Sequence, residues 1–128
     1  MSEQDNLKVV ESFWQAFDVL DFDAAGALLH DDYLEEWPQS GERIRGRANF
    51  VTINKLYPDH WHVTILRMIA TGDIVVSEVR LEHKDELVFA ISFFEFKDDR
   101  IYRETDYWPE PYEPPAWRSQ WVEHSERI

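Results

Sequence analysis

The chain has 128 residues, 44% hydrophobic and 15% aromatic against 30% charged, the length of one ordinary domain and too apolar a composition to stay disordered. Thirteen Lys and Arg face 26 Asp and Glu, and the formal charge of −13 repels phosphate backbones and anionic headgroups, so neither nucleic acid nor a membrane surface is expected as a partner. No cysteine is present, which excludes a disulfide frame, a thiolate nucleophile and cysteine-ligated zinc.

The segment Met1-Ser2-Glu3-Gln4-Asp5 lacks the basic and apolar regions of a signal peptide, and no apolar run approaches the roughly 20 residues of a membrane helix; the cytoplasm is the expected setting. From Leu7 the apolar residues Val10, Phe13, Trp14, Phe17 and Leu20 recur three to four apart and predict a first helix. Asp21 to Asp23 offers N-cap carboxylates for a short second helix through Ala24, Ala25 and Leu28, ending near His30 to Asp32 and weakened by Gly26. Tyr33 to Trp37 reads as a short strand stopped by the turn formers Pro38 to Gly41, and a loop follows. After Gly46, the spacing of Phe50, Ile53, Leu56 and Tyr57 predicts a third helix that Pro58 ends.

Beyond Pro58 the period changes to two. Four strands are expected at about 61–70, 74–83, 87–96 and 101–108, joined by hairpin-length connections and therefore antiparallel neighbours. Helices first and strands afterwards give an α+β fold: N-terminal helices on a strongly curved, mainly antiparallel sheet, all in one domain spanning 1–128. The third of these strands is apolar on both faces, which calls for helices on one side and a second cover, simplest as a dimer partner, on the other. The tail, with Pro109, Pro111, Pro114 and Pro115, is expected to run extended before Trp117 and Trp121 on a last helical turn.

This order of elements, with the words Trp37-Pro38-Gln39-Ser40-Gly41-Glu42-Arg43-Ile44-Arg45-Gly46 and Arg103-Glu104-Thr105-Asp106-Tyr107-Trp108, resembles the SnoaL-like branch of the nuclear transport factor 2-like superfamily over nearly the whole chain. The resemblance implies a cone-shaped, cystatin-like roll around a deep internal pocket, with dimerisation through the outer face of the sheet. It spans polyketide cyclases, ketosteroid isomerases, epoxide hydrolases, dehydratases and members without catalysis, so it leaves the activity open.

Alternation along the last strand puts Tyr102, Glu104, Asp106 and Trp108 on one face, two carboxylates between aromatics. Resemblance to the cyclases makes Asp106 the expected acid/base beside a carbonyl; burial against Trp and Tyr would raise its affinity for a proton. Glu78, Arg80 and Glu82 share a face of the second long strand. They are loosely similar to the arginine–carboxylate sets of the superfamily's epoxide hydrolases, although the spacing differs, and a solvated ion ladder is the plainer reading. His62 is a candidate proton carrier. His60 and His62 have the spacing of a metal pair but no third ligand, so no metal and no organic cofactor are expected. Trp14, Tyr33, Trp37 and Trp108, together with Glu78 and Glu104, are the expected substrate-contacting residues; Tyr33 and Trp37 are placed nearer the mouth, and Phe13 and Phe17 mainly in the core. The expected ligand is a small apolar carbonyl or ring compound, acted on by cofactor-independent acid/base catalysis; a non-catalytic ligand-binding or dimeric interaction domain is the alternative.

Overall fold

The computed structural model describes residues 2–125. Helix α1, Glu3–Asp18, starts at Ser2, whose hydroxyl and backbone N–H form a reciprocal capping box with Asp5. Its buried stripe is Val10, Phe13 and Trp14. Helix α2, Phe22–Gly26, is capped by Asp21, whose carboxylate accepts from Ala24 N–H. Gly26 is there for packing: a Cβ at that position would lie 2.8 Å from Cγ2 of Val51 in α3, Arg47–Leu56.

Six strands form one curled, unclosed sheet: β1 Leu29–Trp37, β2 Glu42–Arg45, β3 His62–Thr71, β4 Ile74–His83, β5 Glu86–Lys97 and β6 Arg100–Tyr107. Their order is β2-β1-β6-β5-β4-β3, antiparallel except for the parallel β1–β6 pair. The four long strands lie within one residue of their sequence-based limits. The first strand begins earlier than expected, because Leu29 pairs with Ile101 and both are fully buried, so sheet pairing overrides the helical pattern that runs to Asp32. The segment expected to be a loop after Gly41 is an edge strand, β2, folded back through a hairpin in which Trp37 faces Glu42. Only one of its residues, Ile44, is buried, which is why no period was visible.

Helices and core lie on one face of the sheet. Phe13, Phe50, Phe94 and Trp14 stack edge-on or tilted with ring centroids 5.1 to 6.0 Å apart, and Trp14 Nε1 donates to Ser77 Oγ at 3.1 Å. The inward residues of β4 are Val75, Ser77, Val79 and Leu81, and those of β5 are Ala90, Ser92, Phe94 and Phe96. A register shift between β5 and β6 leaves Tyr102 without a partner, so Ile101 and Glu104 both point inward. Tyr102 therefore leaves the face it was expected to share; Arg103 and Lys97 lie 3.9 and 4.8 Å from its ring centroid. The tail's last turn is a 3₁₀ helix, Ala116–Trp121, with Trp117 and Trp121 exposed. No helix among the described residues is long and apolar enough to cross a membrane.

Candidate active site

Between the helices and the inner face lies a cavity of about 280 Å³. Its wall includes the rings of Trp14, Phe17, Phe22, Trp37, Tyr57, Trp61 and Trp108, and Glu35, Ser92, Glu104 and Asp106 also line it. β1 supplies Tyr33, Glu35 and Trp37 from alternate positions, and β6 supplies Glu104 and Asp106 likewise. The parallel register sets Glu35 beside Glu104, and antiparallel pairing sets Ser92 opposite Asp106. Two strands remote in sequence thus bring three carboxyl groups together, each no more than 6% exposed, with an oxygen from each within 4.8 Å of the others.

Three donors knit the cluster. Ser92 Oγ donates to Asp106 Oδ1 at 2.6 Å, and Trp37 Nε1 lies 3.1 Å from both Asp106 Oδ2 and Glu35 Oε2. Tyr33 Oη lies 2.7 Å from Glu104 Oε1 and 3.1 Å from Glu35 Oε1. A phenol has one proton to donate, so both short contacts are satisfied when Tyr33 donates to one carboxylate and accepts from a protonated partner. Electrostatics agree. Burial, then the charge of Asp106, holds the Glu35 carboxyl well above its usual range; burial, then Asp106 and Glu35, does the same for Glu104. Burial and the neighbouring Glu104 also push the Tyr33 phenol up.

This arrangement holds exchangeable protons on buried acids at the edge of a cavity, the equipment of general acid/base chemistry. The same three carboxyl groups have the spacing of a hard-cation site. However, the indole N–H of Trp37 reaches between Glu35 and Asp106, bringing a positive hydrogen to the oxygens such an ion would need.

The sequence-based candidates separate. Asp106, Glu104, Trp14, Trp37 and Trp108 line the cavity, with Trp37 and Trp108 edge to face at 5.5 Å. Tyr33 is fully buried beneath the carboxyl groups rather than near the mouth, and Phe17 lines the cavity while Phe13 is core. Arg80 and Glu78 lie on the opposite face of the sheet, since the inward positions of β4 are the odd-numbered ones. Glu78 pairs with Arg67 at 2.9 Å, and Arg80 Nε approaches Glu82 Oε1 at 2.7 Å without hydrogen-bond alignment. His62 projects into solvent at the start of β3, with Nδ1 3.4 Å from Asp18 Oδ1; its neighbour His60 is the histidine that borders the cavity.

Two contributors escaped sequence reasoning. Glu35 sits between Tyr33 and Trp37 on the same alternating face, and that alternation was a usable signal. Ser92 is a lone polar residue in an apolar strand, and its role needs the β5–β6 register.

The sequence pattern of the SnoaL-like domain matches residues 10–104, and the chain belongs to that family. Among solved structures, a candidate ketosteroid isomerase from Kribbella flavida DSM 17836 is 33% identical over 98% of this chain and 93% of its own, with a TM-score of 0.91. An NTF-2 like protein of unknown function from Burkholderia xenovorans LB400 is 31% identical over 97% and 98%, with a TM-score of 0.83. An LEH-like epoxide hydrolase from M. tuberculosis is 29% identical over 84% of each chain, with a TM-score of 0.71. Among curated proteins, no sequence matches the chain.

Proposed function

We propose that the chain is a cofactor-independent acid/base enzyme, acting on a small carbonyl or ring compound held in the cavity. Asp106 takes and returns the proton at the reacting carbon, while Glu35 and Glu104 donate to the oxygen on which charge develops. The observation that carries this reading is the closed set of three buried carboxyl groups at an aromatic-walled cavity, with no lysine or arginine among its described lining residues. A purely structural buried acid is normally paired with a cation; these are paired with one another, with Ser92, Tyr33 and Trp37. The names of the Kribbella and M. tuberculosis relatives, an isomerase and an epoxide hydrolase, agree with proton-transfer chemistry without choosing a substrate.

The proposal includes a homodimer through the outer face of the sheet. Ile69, Ile91, Phe93 and Tyr107 are each 41 to 64% exposed there, and cross-strand pairing of Ile91 with Tyr107 makes part of this surface continuous.

Thermal unfolding of wild type and Asp106→Asn against apolar ketones, phenols, epoxides and polyketide-like rings tests the reading, followed by turnover assays on any compound that binds. A ligand at 100 times its dissociation constant stabilises by about 2.7 kcal/mol, a shift of several degrees. Binding by one class with turnover that Asp106→Asn abolishes supports the enzyme. Binding with no turnover in either protein overturns it in favour of a ligand-binding domain.

A further inference from the structure

We infer that the ligand of this cavity is an organic cation: a ring or carbonyl compound bearing a protonated amine or quaternary ammonium, its charge seated against the tryptophans and countered by Glu35, Glu104 and Asp106. The inference rests on the reading of the cavity as a small-molecule site and narrows what that molecule is.

The ionisable groups of the wall are one-sided. Glu35 comes from β1, Glu104 and Asp106 from β6, Asp59 from the segment before β3, Glu86 from β5 and Glu110 from the tail, against the single histidine His60. α3 contributes Asn54, the residue after it is Tyr57, and β4 contributes Leu81, so none of these adds a lysine, arginine or histidine to the wall. The acids alone would not name a ligand. Their setting does: four of the chain's six tryptophans, Trp14, Trp37, Trp61 and Trp108, line the same space, and the indole face is the best side-chain surface for a cation. An anionic ligand would meet six acids and a chain of net charge −13. A neutral ligand would leave the one-sided set of acids unused, whereas a cation meets tryptophan rings on the wall and carboxyl groups at the floor.

The buried acids add a signature. Burial and mutual repulsion keep protons on Glu35 and Glu104, so a cation that enters displaces a proton. Affinity for a permanently charged ligand therefore rises with pH, by at most tenfold per pH unit for each proton released. Asp106 and Tyr33 are the other titratable groups of the cluster; burial and the neighbouring Glu104 keep the proton on the Tyr33 phenol, and His60 lies at the cavity border.

The experiment uses three probes of one shape: phenyltrimethylammonium, its neutral isostere tert-butylbenzene, and benzenesulfonate. Binding is followed by tryptophan fluorescence and calorimetry from pH 5 to 8.5. The expected result is at least tenfold tighter binding of the ammonium than of the isostere at pH 8, with the gap narrowing toward pH 5. Glu104→Gln and Glu35→Gln, each checked for folding by thermal unfolding, should each flatten the pH dependence of ammonium binding. Equal or tighter binding of tert-butylbenzene or benzenesulfonate overturns the cation inference and leaves the small-molecule site standing. Saturable binding of Mn²⁺ that excludes the ammonium also overturns it, assigning the carboxylates to a metal. No saturable response to any probe overturns the inference and the small-molecule reading together.

Discussion

On β4, Glu78 and Arg80 alternate outward, and the Glu78 carboxylate meets the Arg67 guanidinium across the strand pair at a surface where Arg67 is 74% exposed. On β6, Glu104 and Asp106 alternate inward with the same spacing and meet other carboxyl groups, a phenol, an indole and a serine, no more than 6% exposed. A glutamate with a second charged residue two positions on, placed on two strands of one sheet, thus serves opposite ends. The outer pairs are solvated and screened, worth little each. The inner group has lost its water without gaining a countercharge, which leaves protons on carboxyl groups that would otherwise be ionised. An acid that has an arginine is accounted for; an acid whose neighbours are other acids calls for a ligand or a proton-transfer role.

The sharpest way to break this contrast is Asp106→Asn, which keeps the shape and removes the ionisable oxygen. With a substrate found by the screen, turnover should fall roughly 10² to 10⁴-fold, the range for loss of a general acid/base, with KM changed far less. A loss under tenfold would demote Asp106 to a lining residue. The outer face carries the next effect. Phe93, 41% exposed and opposite Val76 and Thr105, lies on the proposed dimer surface, and Phe93→Glu would place like charges in each of two symmetric copies at a cost of several kcal/mol. Sedimentation velocity should show wild-type dimer and variant monomer; a wild-type monomer at 100 μM would remove the dimer from the proposal.

The third effect is a pH dependence whose sign follows from the protons. Glu35 and Glu104 have raised affinities in the fold, so between an unfolded value of about 4.3 and the higher folded values the native state holds more protons than the unfolded chain. Their stabilising contribution is fully present below the unfolded value and is lost as pH rises through the folded values. The wild-type unfolding midpoint should therefore decline as pH rises above the unfolded value, and Glu35→Gln should decline less, by about 1.4 kcal/mol for every pKa unit relieved. Parallel curves for the two proteins would mean that the carboxyl groups are not coupled as their geometry indicates.

The sequence was most legible where one residue's neighbours along the chain decide its environment. The period of two gave β3 to β6 within a residue, and the helical stripe of Val10, Phe13 and Trp14 gave α1. It failed where a partner distant in sequence decides. The beginning of β1 depends on Ile101, the inward turn of Glu104 on a Tyr102 left out of the β5–β6 pairing, and the assembly of Glu35 with Asp106 on a parallel β1–β6 pairing that no local pattern encodes. Which face of β4 turns inward was undecided for a related reason. Arg80 and Glu78 are as regular in alternation as Val75, Ser77 and Val79, and it is packing against the helices, with Val75 and Val79 in the core and Trp14 docked on Ser77, that makes the odd positions the inner ones. His62 and His60 differ by two positions, yet the strand starts between them, so alternation could not be carried from one to the other.

The smallest effect tests the outer half of the contrast. A double-mutant cycle on Arg67→Ala and Glu78→Ala should give a coupling of about 0.2 to 1 kcal/mol at low salt. It should shrink at 1 M salt, where the screening length falls to about 3 Å, shorter than most charge separations. The Arg67 Nε to Glu78 Oε1 distance of 2.9 Å leaves a residue of the coupling that salt cannot reach. Running the cycle again in the Phe93→Glu background sharpens it. If copies of the chain meet on this face, the pair is drier in the dimer than in the monomer, and coupling measured in wild type should exceed that in the variant. Equal couplings in the two backgrounds would leave Arg67 and Glu78 at a rim the partner does not cover, and would confine the interface to Ile91, Phe93 and Tyr107.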